Sequence, residues 1–202
     1  MQIDVTSAGL LEVNQALVSI VTPRPIAWVS TVDKLGRPNL APFSFFNAFG
    51  SNPPVIVFSP VLRRDGTKKD TLLNLEEVPE FVVHAAVWPL AQELNATCKE
   101  LPRYESEAAM AGLELIPSVK VKPPRVKRAP VQMEAKVRQI IPIGDGPMSG
   151  NLVIGEILYI HVDDAVLDDQ GKIDPRKLQT IARLGANWYC RSTDLFEMKR
   201  PT

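Results

Sequence analysis

The sequence predicts a mainly β protein, an antiparallel β-barrel that carries a few short helices. Two observations support this class. Eighteen prolines and eleven glycines divide the 202 residues into short segments. Most of these segments are rich in β-branched and aromatic residues, and the segments of helical character are few and are inserted among the later ones.

The predicted strands can be followed in chain order. They cover residues 26–32, 40–46, 55–59, 81–87, 131–137 and 152–162. The first is bounded by a Pro-Arg-Pro sequence before it and by a glycine turn after it. Residues 131–137 alternate between apolar and polar side chains, as in a half-solvated antiparallel strand. Gly155 interrupts the last strand, which favours a bulge or a bend there.

Four short helices are predicted. They cover residues 71–78, 90–99, 104–111 and 174–182. The last begins with Asp174 as an N-cap and a proline in the first turn, which is a common start of a helix.

Length and composition place the whole chain, residues 1–202, in one domain. The formal net charge is zero, which argues against nucleic acid or an anionic membrane as the main partner. No apolar run approaches a membrane span, and the N-terminus lacks the basic region of a signal peptide. Cys98 and Cys190 are the only cysteines and are far apart, so we expect no disulfide framework and a cytoplasmic location.

The most basic window, residues 119–130, has five positive charges and three prolines. An anionic partner or a nucleic acid is one interpretation. The balanced charge elsewhere favours the other, an extended and solvated connection that leads into the strand at Val131.

Residues 40–47, together with the Pro-Pro turn and apolar strand of 51–59, form the most informative stretch. Three phenylalanines lie beside a serine and an asparagine. Aromatic walls with a few polar groups suit a planar heterocycle with polar edges. The alternative is an ordinary buried strand pair with aromatic core residues.

A second signal lies in residues 66–71, where Gly-Thr-Lys-Lys-Asp-Thr precedes a predicted helix. A helix N-terminus offers free N–H groups and a partial positive charge to a phosphate, and Lys68 or Lys69 adds a full charge. We expect the Asp70 side chain to cap the helix, because its carboxylate would repel a phosphate. The alternative is a capped surface helix with solvated lysines.

Other reactive residues carry less weight. His84 lies in an apolar strand, as a core histidine would, and a structural hydrogen bond is favoured for His161. Neither shows metal-ligand spacing with Cys98, so no metal site is expected. No serine lies in a nucleophile elbow, so no catalytic triad is expected.

Six blocks in chain order resemble the flavin reductase-like, flavoredoxin-type family. They are Thr22-Pro-Arg-Pro-Ile-Ala-Trp-Val-Ser-Thr31, Asn39-Leu-Ala-Pro-Phe-Ser-Phe-Phe-Asn47, Asn52-Pro-Pro54, Lys69-Asp-Thr71, Gly155-Glu156 with His161-Val-Asp163, and Arg183-Leu-Gly185. The resemblance implies an FMN-binding split β-barrel, a homodimer, and FMN held noncovalently near the subunit interface.

The resemblance also implies which residues hold the flavin. Ser44, Phe45, Phe46 and Asn47 would line the ring, Lys69, Asp70 and Thr71 would lie near the phosphate with Ser59 close by, and Ser30 and Thr31 would reach the polar edge or the ribityl chain. The chain departs from the family pattern at Ala186, where a second glycine is common, and in residues 144–151, which lack a histidine that some relatives have.

The implied activity is FMN-dependent oxidoreduction of the flavin-reductase type. NAD(P)H is the expected co-substrate, and a small molecule or a protein is the expected electron acceptor. No catalytic side chain is expected, because the flavin carries the redox chemistry. The alternatives are an electron carrier reduced by a partner protein, and a flavin-free structural barrel.

Overall fold

A computed structural model describes residues 1–201 and contains twelve strands and five α-helices. The strands are β1 (Arg24–Pro25), β2 (Ala27–Val32), β3 (Pro38–Phe43), β4 (Phe46–Ser51), β5 (Pro54–Phe58), β6 (Glu80–Ala85), β7 (Leu115–Ile116), β8 (Arg125–Val126), β9 (Val131–Pro142), β10 (Asn151–Val162), β11 (Ile181–Arg183) and β12 (Tyr189–Arg191). The helices are α1 (Leu10–Ile20), α2 (Asp70–Glu77), α3 (Ala91–Ala96), α4 (Glu107–Met110) and α5 (Pro175–Leu178).

Seven strands form the main sheet, in the order β3-β2-β6-β9-β10-β5-β4, and all of their pairings are antiparallel. The two edge strands, β3 and β4, are consecutive in the chain and are joined only by Ser44 and Phe45. A flat sheet of seven strands would separate its edges by about 29 Å. The connection from Phe43 to Phe46 spans at most about 11 Å. The sheet must therefore curl until its edges approach each other without pairing, which is the geometry of a split barrel.

The interior of this curled sheet is one apolar cluster. It contains the rings of Phe43, Phe58 and Phe81. The Phe58 ring centroid lies 5.4 Å from that of Phe43 and 5.3 Å from that of Phe81. A second cluster covers the outer face of β2 and β3, where Trp28 and Leu40 pack against the segment of α3 and α4. The first cluster stabilises the barrel, and the second fixes the inserted helices against it.

The predicted strands are confirmed except at one place. Residues 40–46 were expected to form one strand, but the ladder stops at Phe43 and a new strand begins at Phe46. The break is where the chain passes from one edge of the sheet to the other. The bulge at Gly155 is confirmed, since the β9–β10 register shifts between Ile154 and Gly155.

The helix predictions need more correction. Only Glu107–Met110 is helical in the predicted helix 104–111. In the predicted helix 174–182 the Asp174 carboxylate does cap the start, accepting from the Arg176 N–H at 2.8 Å, but the helix ends at Leu178. Gln179 then adopts φ 50°, which turns the chain into β11.

The helix α1 was not among the predicted elements, although Leu10, Val13, Leu17 and Ile20 recur at helical spacing. None of its residues is buried in the described chain. Within residues 1–201 no helix is both long and apolar enough to cross a membrane.

Candidate functional site

The connection between the sheet edges is held in place by β5 and β10. The backbone N–H of Ser59 donates to the carbonyl of Phe45 at 2.9 Å. The hydroxyl of Ser59 accepts from the N–H of Asn151 at 3.0 Å. Ser59 is therefore a fixed anchor of the Ser44–Phe45 loop, and its side chain is buried.

Ser44 and Phe45 form one wall of a groove of about 540 Å³ beside α1. The Nε of Arg24 donates to the Ser44 hydroxyl at 3.4 Å, and its guanidinium lies 6.0 Å from the Phe45 ring centroid. Arg183 lines the same groove. An aromatic ring, a hydroxyl and two arginine side chains therefore line one groove, which suits a planar ligand with polar edges.

Arg24 is a residue that the sequence analysis missed. It is 5% exposed, and it donates to the carbonyls of Val21 at 2.7 Å and Leu184 at 3.1 Å as well as to that of Val18. Burial lowers the pKa of Arg24, and the charge of Arg183 lowers it further. The signal in the sequence was an arginine between two prolines at the start of the first resemblance block.

Phe46 and Asn47 begin β4. Phe46 packs partly against the barrel core. Asn47 is exposed, and its side-chain oxygen accepts from the N–H of Ala48 at 2.8 Å. This exposure follows from the position of β4, an edge strand whose residues from Asn47 onward all face solvent. Its amide nitrogen has no partner within residues 1–201 and is free to bind a ligand.

The start of α2 differs from the prediction. Lys69 is the N-cap and makes no side-chain cap, and Asp70 is the first helical residue. The capping role expected for the Asp70 side chain is wrong, because its Oδ2 pairs with the Nη2 of Arg63 at 3.0 Å. That pair turns the carboxylate of Asp70 toward a cation. The N–H groups of Asp70 and Thr71 have no hydrogen-bond acceptor in the described chain, as expected for the first turn of a helix.

Lys69 lies in a partly buried environment that lowers the pKa of its ammonium group. It lines two adjoining cavities of about 190 Å³ and 480 Å³. Burial lowers its pKa, although Glu100 acts in the opposite direction, and its Nζ lies 5.9 Å from the ring centroid of Phe43. No carboxylate of residues 1–201 lies within 4.0 Å of that ammonium group. A partly dehydrated cation without an ion partner favours an anion in the adjoining space.

The neighbouring lysine has a different role. The Nζ of Lys68 pairs with Glu76 at 2.6 Å on the surface, and the hydroxyl of Thr67 donates to Asp65 at 2.6 Å. Of the two lysines considered for a phosphate, only Lys69 faces the cavities.

The predicted hydroxyl ligands are mostly occupied by the protein. The Oγ1 of Thr71 accepts from Asn39 Nδ2 at 2.9 Å, although Thr71 does line the smaller cavity. Thr31 is fully buried and accepts from Asn74 at 3.1 Å. Ser30 is also fully buried and donates to the carbonyl of Pro124 at 2.5 Å. The structure therefore brings Ser44, Phe45, Lys69, Asp70 and Thr71 to cavities, and leaves Ser30 and Thr31 inside the protein.

The smaller Lys69 cavity has two further titratable residues in its lining. They are Cys98 and Glu107, and burial raises the pKa of the Glu107 carboxyl.

The histidines take no part in these cavities. His84 is fully buried between the carbonyl of Trp28 at 2.8 Å and the N–H of Val126 at 2.9 Å, which confirms its prediction as a core histidine. His161 makes the expected structural hydrogen bond, with Nε2 2.7 Å from Glu134. No group of three potential metal-ligating side chains exists in residues 1–201.

Comparisons with known proteins show which family the chain resembles in sequence and fold. The model of the family described as flavin reductase like domain matches residues 19–180. An uncharacterised protein of Halalkalibacterium halodurans is 37% identical over 204 residues, covering 100% of this chain and 97% of the relative.

Two solved structures are similar over nearly the whole chain. Nitrilotriacetate monooxygenase component B from Bacillus cereus has a TM-score of 0.91 and 35% identity, with 98% of each chain covered. The 2-nitrobenzoate 2-nitroreductase of Pseudomonas fluorescens has a TM-score of 0.89 and 30% identity, covering 100% of this chain and 97% of that one.

More distant structures show the same fold. They are a protein with a split barrel domain from Shewanella frigidimarina (TM-score 0.84, 20% identity, 100% of both chains) and flavoredoxin of Desulfovibrio vulgaris (TM-score 0.75, 22% identity, 98% and 97% of the chains). The predicted mainly β split barrel is confirmed, and the chain belongs to the flavin reductase-like family.

Proposed function

We propose that this protein is an FMN-dependent oxidoreductase of the flavin-reductase type, which takes hydride from NAD(P)H and passes electrons to an acceptor. The observation that carries the proposal is the environment of Lys69. Its ammonium group is partly dehydrated, has no carboxylate within 4.0 Å in residues 1–201, and lies at the start of α2 beside two cavities. Family membership makes a flavin phosphate the natural anion for that position.

The residues present fit FMN. Lys69 and the free N–H groups of Asp70 and Thr71 would hold the phosphate, since a helix start and a cation together favour a dianion. Arg63 supports this arrangement because it neutralises the Asp70 carboxylate at 3.0 Å, which removes a repulsion from the phosphate.

The ring would lie against the Ser44–Phe45 loop, with Phe46 and Asn47 at its edge. Phe45 supplies an apolar face, and the exposed amide of Asn47 supplies hydrogen-bonding groups for a carbonyl or an imide edge. Ser59 acts by positioning, since it holds the loop through the Phe45 carbonyl at 2.9 Å.

Bound FMN supplies the hydride and electron chemistry, so the chain needs no catalytic acid or base. The work of the chain is to bind and orient. A donor such as the Asn47 amide near the pyrimidine part of the ring would stabilise the negative charge of the reduced form.

The proposal includes a homodimer. The groove beside Ser44 and Phe45 is open, and the adjacent β4 edge presents Phe49 with 68% of its surface exposed. Leu158, Tyr159 and Ile160 form a further exposed apolar run on β10. A second copy that covers such surfaces would complete a ring site that one subunit leaves open.

The acceptor belongs to one of two classes, a small molecule or a protein. Of the two most similar solved structures named above, the 2-nitrobenzoate 2-nitroreductase is named for a small molecule, and the other is named as one component of a monooxygenase. A cytoplasmic location remains a prediction from the cysteine count.

The second candidate is an electron carrier that a partner protein reduces. The absence of a histidine in residues 144–151 favours it, because some relatives carry one there and nicotinamide binding is then less supported. Flavoredoxin shares the fold, but at 22% identity it supports the fold alone.

Turnover with nicotinamides separates the candidates. The purified protein is loaded with FMN and mixed without oxygen with NADH or NADPH, and flavin bleaching is followed by absorbance. The first candidate requires reduction by at least one nicotinamide and repeated turnover when an acceptor is added. Tight FMN binding without reduction by either nicotinamide would support the carrier, and a protein that binds no FMN would overturn both.

A further inference from the structure

A separate cavity of about 670 Å³ lies between α3 and the β11–β12 hairpin. One wall is a single helical face, with Trp88 before the helix and Ala91, Gln92 and Asn95 at spacings of three, four and seven residues.

The opposite wall is one face of the hairpin. Ile181 and Arg183 alternate along β11, and their cross-strand partners are Arg191 and Tyr189. Residues that alternate on one strand, and those directly opposite them, share a face of a sheet. All four line the cavity, so the walls are set by regular secondary structure.

Two guanidinium groups in these walls stack on aromatic rings. The Arg183 guanidinium carbon lies 4.5 Å from the Tyr189 ring centroid, and that of Arg191 lies 4.5 Å from the Trp88 centroid. Stacking occupies the flat faces of a guanidinium and leaves its N–H edges for hydrogen bonds.

Only some of the N–H groups of Arg183 and Arg191 make hydrogen bonds within the protein. Arg183 donates to the carbonyl of Ala186 at 2.6 Å, and Arg191 reaches the Gln179 amide oxygen at 3.5 Å. Neither arginine forms an ion pair with a carboxylate in residues 1–201. Two positive charges without anionic partners at one cavity favour an anionic ligand.

Further polar groups at the cavity are available for a ligand. The side-chain amides of Gln92, Asn95 and Asn187 make no hydrogen bond to other described residues, and Trp88 is 47% exposed. An aromatic surface, amides without protein partners and the N–H edges of two guanidinium groups together match a flat ring that carries a carboxylate.

We propose that this cavity between α3 and the β11–β12 hairpin is a binding site for a small aromatic carboxylate, held by Arg183 and Arg191 with its ring near Trp88. The volume lies in the range of small-molecule sites, about 300 to 1,000 Å³. The site is distinct from the Lys69 cavities, and its occupation does not rest on the proposed FMN chemistry. Arg183 also lines the Ser44–Phe45 groove, so the ligand would lie next to that groove.

The test uses the purified full chain and sodium benzoate as the probe, with binding measured by calorimetry and by Trp fluorescence. We expect saturable binding of benzoate, weaker binding of acetate, which lacks the ring, and no binding of benzyl alcohol, which lacks the charge. An adenosine phosphate also combines an anion with a ring, so 2′,5′-ADP is titrated in parallel. Tighter binding of 2′,5′-ADP than of benzoate would overturn the assignment to a carboxylate.

Variants localise the site. Arg191→Gln is expected to weaken benzoate binding about 10- to 100-fold, the range for a lost charged hydrogen bond. Trp88→Leu keeps the charges and should weaken benzoate more than acetate. Arg138→Gln is the matched control, because Arg138 is a surface residue paired with Glu156 on the barrel.

Circular dichroism and thermal unfolding verify that each variant folds. Absence of saturable benzoate binding to the parent protein would overturn the proposal. Equal losses in Arg191→Gln and Arg138→Gln would do so as well, since they would show a general charge effect.

Discussion

Gly155 on β10 faces the ring of Phe81 on β6 so closely that a Cβ atom on the glycine would overlap the Phe81 Cζ and lie 2.7 Å from its Cε1. Phe81 is fully buried in the barrel core, so its ring cannot move aside without disturbing its neighbours. The register shift at Gly155 and this close approach occur at the same residue.

Gly155→Ala should therefore destabilise the protein by about 1–3 kcal/mol, the usual cost of overpacking a core. Urea unfolding of the variant and the parent measures this difference in the free energy of unfolding. Gly9→Ala is the matched control, because no atom lies within 4 Å of the position of its added Cβ. Equal stability of the two variants would mean that Phe81 rearranges at little cost.

Lys69→Ala should weaken FMN binding by about 1–3 kcal/mol, because it removes a charged hydrogen bond to the phosphate. Riboflavin has no phosphate and should bind the variant and the parent almost equally. Lys68→Ala is the control, since Lys68 pairs with Glu76 on the surface. Fluorescence titration with both flavins measures the effect, and an equal loss for FMN and riboflavin would refute a phosphate role.

Asn47→Leu should lower the midpoint potential of bound FMN. The variant keeps the side-chain volume but removes a donor near the part of the ring that becomes negative on reduction, so the reduced form loses more binding energy. Asn47 is exposed, so folding stability should change by less than about 0.5 kcal/mol. Spectroelectrochemical titration measures the potential, and an unchanged potential would leave Asn47 a structural role in its strand.

The stability of the fold should decrease in mild acid because of His84. Burial lowers the pKa of His84 from 6.5 to about 4, with the hydrogen bond to Trp28 acting in the opposite direction and the charge of Arg125 adding to the decrease. Between pH 6.5 and about pH 4 the unfolded chain binds a proton that the folded chain does not. The contribution of His84 to the free energy of unfolding is therefore fully present above pH 6.5. It decreases by about 3 kcal/mol as the pH falls to about 4.

Urea unfolding from pH 7.5 to 4 provides the measurement, and His84→Asn provides the comparison. The variant should be less stable at pH 7.5, because it loses a bond to Val126 or Trp28, but its stability should vary less with pH. Parallel pH curves for the two proteins would assign the acid sensitivity to other groups.

Dilution should release FMN if a second subunit completes the flavin site. FMN retention and oligomeric state are followed together, by fluorescence and by analytical ultracentrifugation, over a range that crosses the dimer dissociation constant. Tight retention of FMN by a verified monomer would contradict the dimeric site.

The positions of most main-sheet strands along the chain were predictable, because β-branched and aromatic runs between turn residues are local signals. The strands at residues 55–59 and 131–137 and the irregularity at Gly155 needed no knowledge of distant residues. The Lys69 region was predictable for a similar reason, since a helix start next to a cation lies within six residues of sequence.

The direction of each side chain depends on contacts between segments that are distant in the sequence. Ser30 and Thr31 are fully buried because both faces of β2 are covered, whereas Asn47 is exposed because β4 is an edge strand. Asp70 pairs with Arg63 rather than capping its own helix, a choice that depends on a loop seven residues earlier.

The same is true of the cavity at Trp88 and Arg191. Its two walls are more than eighty residues apart in the chain. They meet because Val87 bridges to Thr180 and the Trp88 N–H donates to the carbonyl of Gln179. Local patterns in the sequence were enough to predict the fold class and the family. They also located the helix start at Lys69, where we propose that a phosphate binds. The set of arginine and amide side chains that line this cavity depends on the packing of α3 against a distant hairpin. The sequence could not predict it, because contacts between remote segments leave no local pattern.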